Sequence, residues 1–342
     1  MTLSVDQDIS VAKSLNSCFY LNEEYYSLCL QKIFKNSWQF VGHKSQYSNN
    51  TQTPLTLFQD SINEPIVLIK NNGVYSFLSN VCTHRGHIIT QKKCTKKTMK
   101  CTYHGRLFDL NGKMLSMPGF KNVKNFPSDS DNLVKLPSFE WSDFLFTGIT
   151  PKIRIESLIN DFSNRLKKFP FDNLRYSPEF SKTYYLDANW ALYCENYLEG
   201  LHVPFVHKGL NGEIDIQSYK TELLDNGVLQ YTKDKRNDVY AYYYWIFPNM
   251  MFNFYDWGLS INLVEPMSIN RTRVKFLTYP VVEDIKIKSK ITELHDVEIE
   301  DEEVVLNVQK GIQSQFYENG RYSAEYEKGT HHFHRLICDY LR

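Results

Sequence analysis

The sequence predicts an α+β protein of two domains, of which the first is built mainly from antiparallel strands. Short runs of β-branched and aromatic residues, punctuated by Asn, Gly and Pro, follow residue 38. Amphipathic helical patterns that carry His, Asp and Glu lie in the second half of the chain. At roughly 150 residues per domain, 342 residues accommodate two domains. We expect an N-terminal helical segment over residues 1–40, packed on the body of the protein, a β domain over 41–150 and a second domain over 151–342.

The elements of the first part follow in chain order. Residues 21–38 predict one amphipathic helix, whose apolar residues are Tyr25, Leu28, Ile33 and Phe34. Strands are predicted at WQFVGH, PLTLFQ, PIVLIK and VYSFLS. The run FDLNGKML predicts a hairpin, because Asn-Gly favours a tight turn between two strands.

Two loops of the β domain carry metal-binding residues. Cys82 and His84 stand in CTH, Cys101 and His104 stand in CTYH, and 16 residues separate the two motifs. Two thiolates and two imidazoles suit either one tetrahedral zinc or a two-iron, two-sulfide cluster. Zinc loops usually keep like ligands together, whereas each loop here supplies one Cys and one His. This order favours the cluster.

A second group of candidate ligands lies in ANWALYCENYLEGLHVPFVH, residues 188–207. One helical stripe runs through Ala188, Leu192, Asn196, Glu199 and His202. His207 would lie about 140° from His202 on an ideal helix, so a bend is needed if both are to bind one metal. Pro204 predicts that bend at Val203-Pro204, because proline cannot continue the helix. Spacing alone also fits a helix-end cap and a surface histidine.

A third candidate ligand is Asp301, within residues 294–312. It lies on an apolar stripe formed by Val297, Val305, Val308 and Ile312, whereas Glu302 and Glu303 are expected to point away. A carboxylate on an apolar face is costly unless it is paired or binds a metal. Together with the two histidines it would complete the facial triad that suits non-haem Fe(II). Glu300 is the alternative ligand.

The composition excludes several functions. The 39 basic and 39 acidic residues give zero net charge, and no basic run is interleaved with aromatic residues, which argues against a nucleic-acid partner. No run of 18 apolar residues occurs and the first residues lack a leader pattern, so we expect no membrane span and a soluble, cytoplasmic protein. Seven cysteines indicate reduced thiols plus a metal site, with Cys94 a free thiol.

Two further features leave alternatives open. The block 240–264 is rich in aromatic residues and predicts two strands flanking a Pro-Asn turn. Its rings could form a cage for a trimethylammonium group or an ordinary sheet core; the candidate cage residues are Tyr243, Trp245, Phe247, Phe254 and Trp257. His331, His332 and His334 lie in a predicted helix without a matching carboxylate or Cys, which favours a structural or subunit-contact role.

These motifs resemble those of Rieske non-haem iron oxygenase α subunits. CTHRGH and CTYHGRLFDLNG are similar to the Rieske [2Fe–2S] signature, and ENYLEGLHVPFVH is similar to the mononuclear-iron motif. EDEEVVLNVQKGI and GRYSAEYEKGTHHFHRL are similar to the C-terminal segment of choline- and carnitine-type members. Thr102 and Arg106 depart from the Pro and Trp that are common in the second Rieske loop.

The resemblance implies both the fold and the site. It implies an N-terminal Rieske domain followed by a helix-grip catalytic domain with a long antiparallel sheet. The implied cluster ligands are Cys82, His84, Cys101 and His104, and the implied Fe(II) ligands are His202, His207 and Asp301. Glu199 occupies the place of the acidic residue that joins the two centres, and Glu rather than Asp there favours the quaternary-ammonium branch.

The resemblance also implies an activity. It is that of a terminal oxygenase using O2 and two electrons from a separate NAD(P)H-dependent reductase, with or without a ferredoxin, in a head-to-tail homotrimer. The substrate would be a quaternary ammonium compound undergoing N-demethylation or C–N cleavage. An aromatic-ring-hydroxylating dioxygenase α subunit is the alternative. An electron carrier with a decayed second domain fits less well, because the triad is intact.

Overall fold

The chain divides into two units, one formed by Trp38–Pro151 and the other by Met1–Ser37 together with Lys152–Arg342. The structure, a computed structural model, describes residues 3–207, 214–234, 239–281 and 285–342. The N-terminal segment therefore belongs to the same unit as the C-terminal half of the chain.

The unit Trp38–Pro151 consists of antiparallel strands, as its β-branched and aromatic runs predict. The strands are β1 (Gln39–His43), β2 (Gln52–Leu57), β3 (Glu64–Asn71), β4 (Val74–Ser79), β5 (Met99–Lys100), β6 (Leu107–Phe108), β7 (Met114–Ser116), β8 (Lys135–Leu136), β9 (Ser138–Trp141) and β10 (Phe144–Thr147). They form three sheets, ordered β2-β3-β4-β8, β1-β10-β9 and β5-β6-β7. The predicted Asn-Gly hairpin is confirmed as the β6–β7 pair, with Gly112 at a φ of +85°.

The hydrophobic core of this unit anchors both Cys–His loops. Cys82 and Cys101 are 3% and 1% exposed and belong to the same buried cluster as Val67, Leu78 and Phe108. The two thiols are therefore fixed by the sheet packing beneath them, so the positions of the loops depend on this core.

The other unit is built on the long antiparallel sheet that the family resemblance implies. Its strands are β11 (Ser177–Leu186), β12 (Ile214–Leu224), β13 (Gly227–Asp234), β14 (Val239–Ile246), β15 (Met250–Tyr255), β16 (Gly258–Ser268) and β17 (Arg271–Pro280). Their order is β11-β17-β16-β15-β14-β13-β12, which makes a seven-stranded sheet.

Seven α-helices accompany this sheet in the described part of the chain. They are α1 (Cys18–Leu21), α2 (Glu23–Leu28), α3 (Glu156–Arg165), α4 (Trp190–Tyr197), α5 (Val203–Val206), α6 (Ile285–Gly311) and α7 (Lys328–Leu341). No described helix combines the length and the apolar character that crossing a bilayer requires.

The two faces of the sheet pack against different helices, because successive strand residues point to opposite sides. Tyr244 and Phe254 pack on Phe162 of α3, with ring centroids 4.2 and 5.8 Å away. On the opposite face, the Tyr197 hydroxyl of α4 donates to Asn253 Oδ1 at 2.6 Å. Helix α4 therefore lies over the face away from α3.

The helix expected over residues 21–38 starts later, at Glu23, and is not α-helical throughout its length to Asn36. Asn22 has an extended backbone (φ −102°, ψ 123°) and separates α1 from α2, and its side chain accepts the Glu24 amide at 2.7 Å. An Asn in this capping position begins a new helix instead of continuing the old one. A π-helical turn over Cys29–Ile33 and a 3-10 turn over Phe34–Asn36 follow. The Phe34 ring packs 4.8 Å from Trp190 of α4.

Gly329 of α7 packs directly against the end of α4, and this contact is testable. A Cβ atom at Gly329 would lie 2.3 Å from the backbone oxygen of Leu198, which no rotamer change can relieve. We expect Gly329→Ala to lower the free energy of unfolding by about 1–3 kcal/mol, the usual cost of overpacking, in urea denaturation. Gly311→Ala is the control, since nothing lies within 4 Å of its Cβ position. Equal stability of both variants would show that α7 does not fix the end of α4.

Candidate metal centres

The two Cys–His loops share one backbone design. In each loop the Cys amide donates to the carbonyl five residues ahead, and the amide four residues ahead donates back to the Cys carbonyl. The bonds run from Cys82 N to His87 O (2.9 Å), Gly86 N to Cys82 O (3.0 Å), Cys101 N to Arg106 O (2.8 Å) and Gly105 N to Cys101 O (3.0 Å). Gly86 and Gly105 have φ of +69° and +77°, which glycine adopts without strain. The two loops therefore have the same backbone hydrogen-bond pattern, and they face one another.

Their four side chains form two pairs of like donors. The Nδ1 atoms of His84 and His104 lie 3.2 Å apart. The thiols of Cys82 and Cys101 are neighbours: burial raises the pKa of Cys82, the His84 amide opposes that rise, and the Cys101 thiol adds to it. Among the described residues, three ligand atoms lie within 4.8 Å of one another only in a second group on the other unit. The loops therefore do not converge on one ion, as tetrahedral zinc with bonds of about 2.0–2.3 Å requires, and paired donors fit two irons.

Helix α4 ends just before the residues of the second centre. The Asn189 side chain caps its start by accepting the Ala191 amide at 3.0 Å. After the helix ends, residues 198–202 form a break, and α5 starts with Pro204 in its first turn, where no amide hydrogen is needed. The predicted bend is therefore present, but its predicted place at Val203-Pro204 is wrong. Pro204 begins the second helix and does not end the first.

Glu199 stabilises the break between α4 and α5 and orients the imidazole of His202. One carboxylate oxygen, Oε2, accepts the backbone amides of Leu201 and His202, the latter at 3.2 Å. The other oxygen, Oε1, lies 2.5 Å from Nδ1 of His202. The carboxylate thus fixes the backbone turn and the ring at once.

Helix α6 brings Asp301 over the end of α4, although its buried stripe differs from the predicted one. Val305 and Ile312 are buried as predicted, but Val308 is 42% exposed. Gln309 takes its place inside and accepts the Asn189 amide at 2.8 Å. The observed spacing 305–309–312 and the predicted spacing 305–308–312 fit the 3.6-residue helical turn equally well. The contact between Gln309 and α4 determines which of the two is buried.

Glu302 also differs from expectation. It was expected to point away from the apolar stripe, but its Oε1 is buried without a hydrogen bond in the described structure. Burial raises its pKa to about 7. Glu303 is exposed, as predicted.

His202, His207 and Asp301 bring their ligand atoms to one place, within 4.8 Å of one another. Asp301 Oδ1 lies 3.5 Å from Nε2 of His202 and 3.1 Å from Nε2 of His207. The other ring nitrogens contact carboxylates, Glu199 on His202 and Glu300 on His207, the latter at 2.8 Å. Protons on both Nδ1 atoms satisfy those carboxylates and leave two Nε2 lone pairs facing Asp301.

The resulting arrangement fits a metal cation. Asp301 Oδ1 is buried and faces the two Nε2 atoms, which can donate to it only when a ring carries a second proton. A buried carboxylate facing two lone pairs is unfavourable unless a cation lies among them. Two imidazoles and one carboxylate suit mononuclear iron. The alternative ligand Glu300 instead contacts the opposite nitrogen of the His207 ring.

A cavity of about 170 Å³ adjoins these three side chains. Its aromatic lining includes Tyr219, Tyr243, Tyr255 and Trp257, and its polar lining includes Gln230, Asn253 and Asn262. Three lining residues are acidic, namely Glu199, Glu298 and Asp301, and none of those described is Lys or Arg. The walls therefore carry no described positive side chain, and their aromatic rings favour a cationic or neutral polar guest over an anionic one; burial raises the pKa of the Glu298 carboxyl well above its usual range.

Two family models match the chain. The model of the Rieske [2Fe-2S] domain matches residues 37–127, and the model of the ring hydroxylating alpha subunit (catalytic domain) matches residues 171–342, half of the chain. The chain belongs to the Rieske-type ring-hydroxylating α subunits. It is therefore an oxidoreductase whose cofactors are a Rieske [2Fe–2S] cluster and a mononuclear iron.

Curated relatives of this α subunit match nearly its whole length. The chloroplastic choline monooxygenase of Arabidopsis thaliana is 29% identical over 354 residues, which cover 95% of this chain and 82% of that protein. The carnitine monooxygenase oxygenase subunit of Escherichia coli (strain K12) is 28% identical over 351 residues, covering 95% and 92%. Both relatives are monooxygenases by name, and the prediction of a Rieske-type oxygenase, which left mono- and dioxygenation open, is confirmed.

Solved structures confirm the fold of the α subunit. The quaternary ammonium Rieske monooxygenase CntA in complex with L-carnitine aligns with a TM-score of 0.83 at 24% identity, covering 98% of this chain and 97% of that one. Naphthalene 1,2-dioxygenase with indole bound aligns with a TM-score of 0.72 at 15% identity, covering 96% and 92%. An N-terminal Rieske domain followed by a catalytic domain with a long sheet is thus the fold that the resemblance implied.

Two of the five rings predicted as a cage line the cavity of this α subunit. They are Tyr243 and Trp257. Tyr255, which was not singled out, lies between them: it stacks on Trp257 at 5.0 Å and meets Tyr243 edge-on at 5.9 Å. The side chain of residue 240, at the start of the aromatic block, lies outside the described part of the structure.

The other three predicted cage residues belong to the core. Phe254 faces the opposite side of the sheet, against Phe162 of α3. Trp245 and Phe247 lie further along, where both rings pack against Phe333 of α7. For these three residues the alternative interpretation, an ordinary sheet core, is the correct one.

Two cavity residues were missed by the sequence reasoning. Glu298 is buried and accepts the Tyr193 hydroxyl at 2.5 Å, and burial raises the pKa of its carboxyl well above the usual range. His295 Nδ1 lies 3.1 Å from the Tyr184 hydroxyl. Both precede Asp301 at multiples of three residues on α6, and that spacing was the available signal.

The C-terminal histidines make structural contacts. Each binds a polar group of another segment of the same unit. The contacts join His331 Nε2 to the Asp6 carbonyl (2.7 Å), His332 Nε2 to the Leu224 carbonyl (2.8 Å) and His334 Nδ1 to the Tyr322 hydroxyl (2.6 Å). These contacts tie α7 to the N-terminal segment, to the end of β12 and to the segment that precedes α7, as the structural interpretation expects.

Proposed function

We propose that this α subunit is the terminal oxygenase of a system that hydroxylates a small quaternary ammonium compound with O2 and two electrons. The main support for the proposal is that three ligand atoms, two imidazole nitrogens and one carboxylate oxygen, converge beside a cavity lined by aromatic and acidic residues. The named relatives act on choline and carnitine, both quaternary ammonium compounds. Hydroxylation of a carbon bonded to nitrogen leads to N-demethylation or C–N cleavage.

The ligand assignment follows from the donor atoms. Cys82 and Cys101 hold one iron of the cluster, and His84 and His104 hold the other. His202, His207 and Asp301 hold the mononuclear iron, which when bound supplies the activation of O2. We keep residues 1–40, 41–150 and 151–342 as the helical segment, the Rieske domain and the catalytic domain.

The cavity walls select a polar cation. Tyr243, Tyr255 and Trp257 line the cavity, and the face of an aromatic ring attracts an ammonium group through the ring quadrupole. The Glu298 carboxyl and the amides of the wall suit a polar molecule, whereas a pocket for an aromatic hydrocarbon would be apolar. This contrast favours the quaternary ammonium substrate over aromatic-ring hydroxylation.

Glu199 connects the two centres. Its Oε1 accepts a hydrogen bond from Nδ1–H of His202, which fixes the tautomer that leaves Nε2 free for iron. A solved quaternary ammonium Rieske monooxygenase uses inter-subunit electron transfer. We assign to Glu199 the bridge between the cluster of a neighbouring subunit and His202, through which the electron passes to the mononuclear iron.

This electron route requires partner proteins. The α subunit works as a homotrimer, because each cluster serves the iron of the next chain. A separate NAD(P)H-dependent reductase, with or without a ferredoxin, supplies the electrons. We also keep the cytoplasmic location and the absence of a nucleic-acid partner as predictions.

The bridging role of Glu199 is testable by removing its charge. Glu199→Gln keeps the size of the side chain, so we expect both metal centres to stay loaded and the cluster to remain reducible. Cluster reoxidation should slow by at least ~10-fold, about 1.4 kcal/mol on the barrier, in single-turnover stopped-flow experiments with substrate and O2. Glu303→Gln, an exposed change on α6, is the control. Reoxidation of the Glu199 variant at the wild-type rate would remove Glu199 from the electron route.

The substrate class is testable by comparing choline with its uncharged carbon isostere, 3,3-dimethylbutan-1-ol. We expect choline to bind more tightly by about 1–2 kcal/mol in calorimetry, the scale of a desolvated cation–π contact. Trp257→Leu should reduce that difference. Phe254→Leu, on the opposite face of the sheet, should leave it unchanged. Equal affinity for both compounds, with turnover of aromatic carboxylates, would favour the aromatic-ring dioxygenase.

A further inference from the structure

We propose that Arg106 ties the two cluster loops together and that its buried positive charge raises the reduction potential of the [2Fe–2S] cluster. The proposal rests on the assignment of Cys82, His84, Cys101 and His104 as cluster ligands. It concerns a residue that departs from the Trp common at this place in the second loop, and the mechanism above does not use it.

The guanidinium group joins the loops directly. Arg106 follows the second loop, and its Nη1 donates to Thr83 Oγ1 at 2.8 Å in the first loop. Thr83 lies between the ligands Cys82 and His84. The same nitrogen lies 3.2 Å from Asp131 Oδ1, and the Thr83 hydroxyl donates to the Asp131 carbonyl at 2.7 Å. One side chain from the second loop therefore fixes the residue between two ligands of the first.

The charge is held away from water. Arg106 is only 2% exposed, and its guanidinium carbon lies 5.7 Å from the Phe120 ring centroid and 5.4 Å from that of Phe126. The Phe120 ring also contacts the His84 ring edge-on at 5.5 Å. Arg106 Nε is buried without a hydrogen-bond partner in the described structure. A buried cation with an unsatisfied donor is costly, so its position requires a compensating negative charge nearby.

Asp131 compensates for only part of this cost, because it is a single contact at 3.2 Å shared with Ser128. The reduced cluster is the other negative centre in reach: two ferric irons, two sulfides, two thiolates and two neutral imidazoles sum to zero charge, so the added electron leaves the cluster with a net negative charge. The Arg106 side chain bonds Thr83, between the ligands Cys82 and His84, and its backbone carbonyl accepts the amide of the ligand Cys101, so the charge lies beside ligands of both loops. Its positive potential therefore extends over both halves of the ligand set.

The consequence for the redox step has a definite sign. Reduction adds one electron, and hence one negative charge, to the cluster. A fixed positive charge nearby stabilises the reduced form and raises the potential, and burial weakens the screening of that charge by water. Asp131 opposes this effect. Removing the Arg106 charge should therefore lower the reduction potential, and removing the Asp131 charge should raise it. A purely structural role of the two residues does not predict shifts of opposite sign.

The test is a spectroelectrochemical titration of the full-length holoprotein carrying single substitutions. We expect Arg106→Gln to shift the midpoint potential downwards, Asp131→Asn to shift it upwards and Arg106→Lys, which keeps the charge, to stay near the wild-type value. Arg85→Gln is the control: Arg85 is also an arginine beside a ligand, but it is exposed and screened. Its shift should be smaller than that of Arg106→Gln.

Three results would overturn the proposal. They are an Arg106→Gln potential no lower than that of Arg85→Gln, an Asp131→Asn potential at or below the wild-type value, and an Arg106→Lys shift as large as that of Arg106→Gln. If Arg106→Gln loses its cluster, the Lys and Asp131 variants still decide the charge effect. A wild-type protein without the electron paramagnetic resonance signal of a reduced, His-ligated cluster would instead refute the cofactor assignment.

Discussion

The arrangement of the catalytic half of this molecule depends on one buried oxygen, Asp301 Oδ1. It is buried and faces the Nε2 atoms of His202 and His207 at 3.5 and 3.1 Å. Glu199 and Glu300 favour the tautomers with the proton on Nδ1, so without a metal only a second proton on a ring relieves this contact; burial lowers the pKa of His207, but Asp301 and Glu300 raise it overall. The fold therefore keeps three electron-pair donors together, and a cation is what makes that arrangement favourable.

The surrounding architecture supports this geometry. Helices α4 and α6, far apart in sequence, are joined by two buried hydrogen bonds, from Tyr193 to Glu298 at 2.5 Å and from the Asn189 amide to Gln309 at 2.8 Å. The break at residues 198–202 turns His202 towards α6. The seven-stranded sheet supplies the other wall of the cavity. The Cys–His loops of the other unit follow the same logic, because a hydrophobic core fixes both thiols and Arg106 joins the loops.

Local spacing was enough to predict most of the site. Glu199 and His202 are three residues apart, so a short motif reveals their relation, and Asp301 was identified because a carboxylate interrupts an apolar stripe. Glu300 stayed open as the alternative ligand in the sequence because only the tertiary position of His207 shows that Glu300 contacts its Nδ1 atom. Sheet register could not be predicted from the sequence either. It determines that Tyr243 faces the cavity whereas Phe254 faces α3.

The most direct test of the central claim is the iron content of two neighbouring carboxylate variants. Wild-type protein should contain about three irons per chain, two with acid-labile sulfide and one mononuclear, and no stoichiometric zinc. Asp301→Asn should retain the cluster iron and lose the third iron. Glu300→Gln, which still accepts the His207 proton, should retain all three. An Asp301 variant with full iron content, or a Glu300 variant that loses the mononuclear iron, would contradict the account.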